Sequence, residues 1–153
     1  LQTVVAGHVA SVGEKPDDSA WRIGIRDPLD PASVLGSLSV RGAAVITSGS
    51  YERYFVAEDG TAYGHIFDPA TGRPAESGLI SVTVTGACGL QCDALSTALY
   101  VMGAERAAEL LPTLEGVEAV LVDSGGALWI TSGLKDSFTP MYAYQTAEIH
   151  WIG

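Results

Sequence analysis

The sequence has few basic side chains. Its 153 residues include 8 lysines and arginines against 18 aspartates and glutamates, a formal net charge of −10. Residues 1–76 carry six basic and ten acidic side chains, and residues 77–153 carry two and eight. No basic patch is left to bind a nucleic acid, which argues against that class of partner. A diphosphate ligand would need a metal ion or backbone N–H groups to compensate its charge.

Long hydrophobic runs and cysteines are also scarce. No apolar stretch approaches the roughly 20 residues of a membrane-spanning helix. Only Cys88 and Cys92 occur, and a chain of this size needs no disulfide. The sequence leaves open whether they pair or are two small semi-buried residues. Hydrophobic residues make up 47% of the chain, enough for one sizeable core, and the length fits a single domain over residues 1–153.

The residue pattern predicts a mixed α+β fold with a mainly antiparallel sheet and a paired helical block. Strands are predicted at 1–12 (broken at Gly7), 21–25, 34–46 (two strands forming a hairpin near Gly42), 51–57, 61–67, 79–86, 117–122, 127–131 and 147–152. Helices are predicted at 93–102 and 104–111, and loops at 48–50 and 68–78. His8 and His150 fall in strands, where a structural role is expected.

The first of these helices carries a candidate metal site. At about 100° per residue, Leu95, Leu99 and Met102 share one face, and Asp93 and Thr97 share the opposite face. A carboxylate and a hydroxyl are hard oxygen donors that suit Mg²⁺. The alternative is an Asp93 that caps the first helical turn, followed by a solvent-facing threonine.

Two other segments carry polar side chains that suit a ligand. His65 stands at a predicted strand end before an Asp-Pro turn, where a histidine can act as a general base. Residues 47–51 (TSGSY) are small and polar; Gly49 would let a ligand approach the backbone, and the neighbouring hydroxyls could bond a phosphate or a flavin edge. Taken alone, each also fits an ordinary turn.

Five segments, taken together and in order, resemble the ApbE family of FAD:protein FMN transferases. They are residues 21–28 (WRIGIRDP), 47–51 (TSGSY) with 53–55 (RYF), 65–69 (HIFDP) with 71–72 (TG), 81–84 (SVTV), and 93–98 (DALSTA) with 101–103 (VMG).

The resemblance implies roles for single residues. Asp93 and Thr97 would be the magnesium ligands, and His65 would be the catalytic histidine. Phe67 stands where an aliphatic residue contacts the flavin nucleotide through its backbone, and Ser48 and Gly49 match the loop near the flavin. FAD would be the substrate and Mg²⁺ the cofactor.

The implied reaction is a phosphoryl-type transfer. A serine or threonine hydroxyl of a target flavoprotein would attack the phosphorus on the FMN side of FAD, and AMP would leave. Mg²⁺ would neutralise the diphosphate, and His65 would take the hydroxyl proton. Two alternatives stay open: an FAD pyrophosphatase giving FMN and AMP, and a non-catalytic flavin-binding or assembly module.

The chain departs from the family pattern in two ways. Residues 6–8 read Ala-Gly-His where members of the family carry Gly-Gly-Asn or Gly-Gly-Asp. Members are also about twice as long, so we expect the chain to correspond to the C-terminal half, with the N-terminal half absent. Its partners would then include that missing N-terminal half or another polypeptide in its place. The chain begins without Met, inside a predicted strand, and its compartment is not readable, although members of the family are often exported and anchored to the outer face of the cytoplasmic membrane.

Overall fold

The computed structural model describes residues 2–5, 8–11, 15–30, 32–51, 54–56, 58, 60 and 62–153, with the backbone alone at residues 2–5 and 62. The strands are β1 (Gln2–Val5), β2 (His8–Ser11), β3 (Trp21–Arg26), β4 (Val34–Val40), β5 (Ala44–Gly49), β6 (Tyr54–Val56), β7 (Ala62–Gly64), β8 (Phe67–Asp68), β9 (Arg73–Pro74), β10 (Leu79–Gly86), β11 (Val117–Asp123), β12 (Leu128–Thr131), β13 (Phe138–Pro140) and β14 (Ile149–Ile152). The α-helices are α1 (Gly89–Met102) and α2 (Ala104–Leu110), and short 3₁₀ turns cover Leu111–Thr113, Ser132–Leu134 and Tyr142–Tyr144.

The strands form one large sheet and three small ones. The large sheet has seven strands in the order β1-β2-β5-β10-β11-β12-β14, and only its β12–β14 pair is parallel. A three-stranded antiparallel sheet has the order β13-β4-β3, and β6-β7 and β8-β9 are two-stranded. The predicted α+β class, mainly antiparallel with a paired helical block, is therefore confirmed.

The large sheet is covered on both faces. Alternate residues of β10 point to opposite sides, and Val82 and Val84 pack with Leu99 and Tyr100 of the helices. On the other face, Val120 and Val122 of β11 pack with the β3 and β4 residues that form the second core, Ile23, Ile25, Leu35, Leu38 and Val40. The molecule thus has three layers, in the order helices, seven-stranded sheet and three-stranded sheet.

The predicted hairpin at 34–46 is wrong, because its two strands join different sheets. From Gly36 to Val40 the burial of β4 alternates, which suits a sheet with one covered face. In β5 the residues Ala44, Val45 and Ile46 are all buried, as expected for a strand covered on both faces. The chain therefore crosses between layers at residues 41–43.

The predicted loop at 48–50 is also mostly strand. Thr47, Ser48 and Gly49 continue β5 and pair with Thr83, Val82 and Ser81 of β10. The long β10 offers ladder partners to these small polar residues, and the strand therefore runs further than its composition indicates. The predicted polar loop at 68–78 contains the small β8–β9 pair.

The helix that carries Asp93 begins one turn earlier than predicted. It starts at Gly89 after the extended residue Cys88, and it has no acidic residue in its first turn. The interpretation of Asp93 as a cap or first-turn residue is therefore wrong. The fully buried Cys92 packs closely on Gly86, where an added Cβ would lie 3.2 Å from the Cys92 sulfur. This packing favours helix despite the low helix propensity of Gly89.

Among the described residues, no helix is both long and apolar enough to cross a membrane. The cysteines are unpaired, Cys88 being exposed and Cys92 buried. Burial, with a smaller contribution from the nearby Cys88, raises the pKa of the Cys92 thiol.

Candidate active site

Helix α1 presents two polar side chains away from the core. It packs through the buried residues Cys92, Ser96, Leu99 and Tyr100, while Asp93 and Thr97 are exposed. Residues four apart are neighbours on a helix surface, so the carboxylate and the hydroxyl lie on one side, as predicted. Because Asp93 lies past the first turn, helix capping does not explain a carboxylate at this position.

A chain of hydroxyl groups ties this part of α1 to strand β5. The Ser96 hydroxyl donates to the carbonyl oxygen of Asp93 at 2.9 Å. The Oγ atoms of Ser96 and Ser48 are 2.8 Å apart, and Ser48 Oγ lies 3.2 Å from Thr97 Oγ1. The three contacts link two helical residues to a strand residue about 50 positions away in sequence.

When all three contacts are made as hydrogen bonds, the single proton on each hydroxyl permits only one set of directions. Ser96 has already donated its proton to the backbone, so Ser48 donates to Ser96. Ser48 must then accept from Thr97. The Thr97 proton is therefore turned toward the sheet, and the lone pairs of its Oγ1 are left for another partner.

Asp93 has a partner from the sheet as well. His8, on β2, donates from Nε2 to Asp93 Oδ1 at 2.8 Å. Their side chains are 42% and 54% exposed, so this pair lies at the protein surface. The other two residues of the Ala-Gly-His segment, at positions 6 and 7, lie outside the described residues.

The predicted catalytic histidine follows β7. His65 and Phe67 are exposed, and Ile66 between them is buried in the core shared with Leu99. The carbonyl oxygen of Ile66 accepts from the N–H of Ala75 at 2.9 Å. A firmly anchored residue thus holds His65 and Phe67 on the solvent side of the same segment.

These segments meet at the C-terminal end of β5. Gly64, next to His65, lies beside Ser50, where an added Cβ on Gly64 would be 3.8 Å from the Ser50 Cβ. Ser48 faces α1, and the alternation of a strand turns Gly49 to the opposite face. Gly49 has a packing reason of its own, because a Cβ there would collide with the Tyr51 ring and lie 3.1 Å from the carbonyl oxygen of Ile80. The structure therefore brings Ser48 together with Thr97, and the His65 segment next to that strand end.

The donor set fits a hard divalent cation. Asp93 supplies a carboxylate, and Thr97 supplies a hydroxyl oxygen whose proton points away. In the described part of the chain, no cluster of three or more His, Cys, Asp or Glu side chains could hold a metal by itself. Mg²⁺ usually binds through one or two carboxylates and completes its shell with water and substrate phosphates, so a site with one carboxylate suits it.

Residues 21–28, the first of the five segments that resemble the ApbE family, have a structural role in this protein. Ile23 and Ile25 are buried in the second core. The buried Asp27 accepts from the N–H of Leu29 at 2.9 Å and from the Tyr144 hydroxyl at 2.7 Å. This segment fixes how the three-stranded sheet packs, and it supplies none of the predicted site residues.

Sequence reasoning missed two residues of this site. Ser96 lies within the quoted DALSTA segment but received no role, although a serine on the buried face of a helix calls for a partner. His8 was expected to be structural, and its strand position is confirmed. Nothing local in the sequence indicates its contact with Asp93, 85 residues away.

Comparison with known proteins identifies relatives of the chain. A family model described as the ApbE family matches residues 4–121. The FAD:protein FMN transferase of Klebsiella pneumoniae is 35% identical over 138 residues, which are 90% of this chain and 42% of that protein. The corresponding enzyme of Treponema pallidum is 40% identical over 120 residues, 76% of this chain and 32% of that protein. The chain thus spans about a third to two fifths of the length of these relatives.

A solved structure shows the same fold. The ApbE protein of Thermotoga maritima superposes with a TM-score of 0.77 at 38% sequence identity, over 85% of this chain and 42% of that chain.

Proposed function

The chain belongs to the ApbE family, and from that membership we propose that it is part of a magnesium-dependent FAD:protein FMN transferase. The proposed reaction moves FMN from FAD to a serine or threonine hydroxyl of a target protein and releases AMP. The relatives are named FAD:protein FMN transferase, which supports the donor and the kind of acceptor. The observation that supports the metal dependence is the hydroxyl chain that turns the Thr97 proton toward Ser48 and leaves the lone pairs of Thr97 Oγ1 for another partner.

In this proposal the helix α1 residues hold the metal. Asp93 and Thr97 would bind Mg²⁺, which when bound would offset the charge of the FAD diphosphate in a protein with a net charge of −10. Ser48 would have a positioning role, because its Oγ would accept a hydrogen bond from the Thr97 hydroxyl. Water and the diphosphate oxygens would complete the metal shell.

The residues beside β5 would act on the two substrates. His65 would take the proton of the attacking hydroxyl, as that oxygen bonds to the FMN-side phosphorus and the bridging P–O bond to AMP breaks. The exposed residue Phe67, and the strand end at Ser48 and Gly49, would lie against the flavin nucleotide. We also propose that the remaining length of a family-sized protein supplies the rest of the FAD pocket, since the chain spans only 42% of a relative such as the Klebsiella enzyme.

Identification of the products tests this function. The whole protein that carries this chain should be incubated with FAD, Mg²⁺ and a candidate target flavoprotein. Intact-mass analysis should show covalent FMN on the target, and chromatography should show one AMP per FMN attached. Free FMN with AMP and no adduct would identify a pyrophosphatase, and FAD bound without turnover would identify a binding or assembly module; either result would reject the transferase.

A further inference from the structure

The bond between His8 and Asp93 uses one oxygen of the predicted metal ligand. A carboxylate oxygen only accepts hydrogen bonds, so His8 Nε2 must carry the hydrogen, whether the ring is neutral or charged. This bond is 2.8 Å long and engages Oδ1. The second oxygen, Oδ2, is therefore the more available of the two for a metal ion.

The sheet thus orients both predicted ligands of the helix. His8 on β2 contacts Asp93, and Ser48 on β5 contacts Thr97. The two strands are direct neighbours, with His8 paired to Ile46 and Ser48 two residues further along β5. Groups on adjacent strands of one sheet keep a fixed separation, so the two contacts constrain the ligands together.

We propose that His8 is a positioning residue that keeps Asp93 a one-oxygen ligand and thereby favours Mg²⁺ over Ca²⁺. The inference rests on the proposed metal role of Asp93. Mg²⁺ requires a near-ideal octahedral shell and few protein ligands, whereas Ca²⁺ accepts six to eight oxygens and readily takes both oxygens of a carboxylate. The hydrogen bond from His8 takes one of the two lone-pair sites of Asp93 Oδ1 and fixes the direction of the carboxylate, so it disfavours the binding of one ion through both oxygens.

Removal of His8 should therefore change the metal preference as well as the affinity. In the whole protein, His8→Ala should weaken Mg²⁺ binding about 10- to 100-fold, the usual loss when a partner of a metal ligand is removed. Ca²⁺ binding should weaken less or become tighter, because Asp93 can then bind through both oxygens. We expect the ratio of Ca²⁺ to Mg²⁺ affinity to rise at least about tenfold. His8→Gln, whose amide can donate from a similar distance, should restore most of the preference.

His150 provides the matched control. It lies on β14 at the opposite edge of the same sheet, its Nε2 is 3.4 Å from Glu148 Oε1, and its side chain is 38% exposed. His150→Ala removes a looser histidine–carboxylate contact, together with the stacking of His150 on Trp129, and should leave both metal affinities unchanged. Melting temperatures of all variants show whether a variant has failed to fold. If His8→Ala fails to fold, His8→Phe takes its place, because it keeps the volume of a ring and removes the hydrogen-bond donor.

Calorimetric titration of each variant with MgCl₂ and with CaCl₂ decides the matter, with Asp93→Asn as the reference. The inference stands if two results are found together. Asp93→Asn must weaken Mg²⁺ binding, and His8→Ala, but not His8→Gln, must raise the ratio of Ca²⁺ to Mg²⁺ affinity. An unchanged ratio in folded His8→Ala, with Asp93→Asn still impaired, overturns the role of His8 alone. Unchanged Mg²⁺ binding in Asp93→Asn overturns the metal site itself, and the role of His8 with it.

Discussion

Replacement of Ser96 by alanine should separate metal binding from stability. The Ser96 hydroxyl is fully buried, donates to the Asp93 carbonyl and accepts from Ser48. Without it, Ser48 has no acceptor at that position and can turn its own proton toward Thr97. Thr97 Oγ1 then accepts a hydrogen bond from Ser48, and that lone pair is no longer available to a metal ion. We expect Mg²⁺ affinity to fall about 10- to 100-fold, as for other groups that orient a metal ligand.

The cost in stability should be small. One hydrogen bond between side chains is worth about 0.5–1.5 kcal/mol net, and the Asp93 carbonyl keeps its ordinary helical bond. Alanine is the better helix former by a few tenths of a kcal/mol, which offsets part of this loss. The free energy of unfolding should therefore fall by less than about 1 kcal/mol, or roughly 2–4 °C in melting temperature for a chain of this size.

Thr47→Val is the matched control. The Thr47 hydroxyl lies 2.8 Å from the hydroxyl of the buried Thr83. Thr47 is on β5 like Ser48, but it faces the opposite side of the sheet. This change should cost stability and leave Mg²⁺ affinity unaltered. Calorimetric Mg²⁺ titration and thermal unfolding of both variants give the two readouts. Wild-type Mg²⁺ affinity in Ser96→Ala would refute the proton-direction argument.

Two further predictions concern other parts of the molecule. In the whole protein, His65→Ala should slow FMN transfer by about 10²–10⁴-fold, the range for loss of a positioned base, with little change in FAD affinity by flavin fluorescence; a parallel loss of FAD affinity and melting temperature would instead indicate a structural residue. Burial, with the hydrogen bond to Asp27, raises the pKa of Tyr144, so the native state keeps this proton to a higher pH than the unfolded chain does. The contribution of the Tyr144 proton to the free energy of unfolding is present below the ordinary tyrosine pKa of about 10 and is lost as the pH rises above it. In urea titrations between about pH 9 and pH 11, Tyr144→Phe should therefore lose less unfolding free energy than the wild type. An equal loss in the two proteins would contradict this.

The local sequence pattern correctly predicted those elements in which the residue pattern and the tertiary packing favour the same structure. Leu79–Gly86 alternates β-branched residues and is a strand with the predicted bounds. The second helix ends within one residue of its prediction, before Pro112. The Asp93–Thr97 pair was predicted from helical spacing, and both side chains are exposed on one side of α1.

Tertiary packing decided the features that the pattern did not predict. The burial of Cys92 against Gly86 extends α1 back to Gly89, and a single glycine at a helix start gives no such signal. The separation of β4 from β5 depends on which face of each strand finds a partner layer.

The contacts that orient the candidate ligands were also beyond the reach of local pattern. Ser48–Thr97 and His8–Asp93 join residues 49 and 85 positions apart. Such pairs form only once the sheet order is set, and neither spacing nor composition specifies that order.

The most direct test of the account is the Mg²⁺ dependence of FMN transfer in Asp93→Asn. Glu109→Gln is the control, since it removes an exposed carboxylate on α2 and leaves α1 untouched. In the whole protein, the account predicts that Glu109→Gln attaches FMN to its target as the wild type does. Asp93→Asn should fold normally, attach none, and show no recovery as Mg²⁺ is raised to concentrations that saturate the wild type. Wild-type transfer by Asp93→Asn with an unaltered Mg²⁺ requirement would contradict the account.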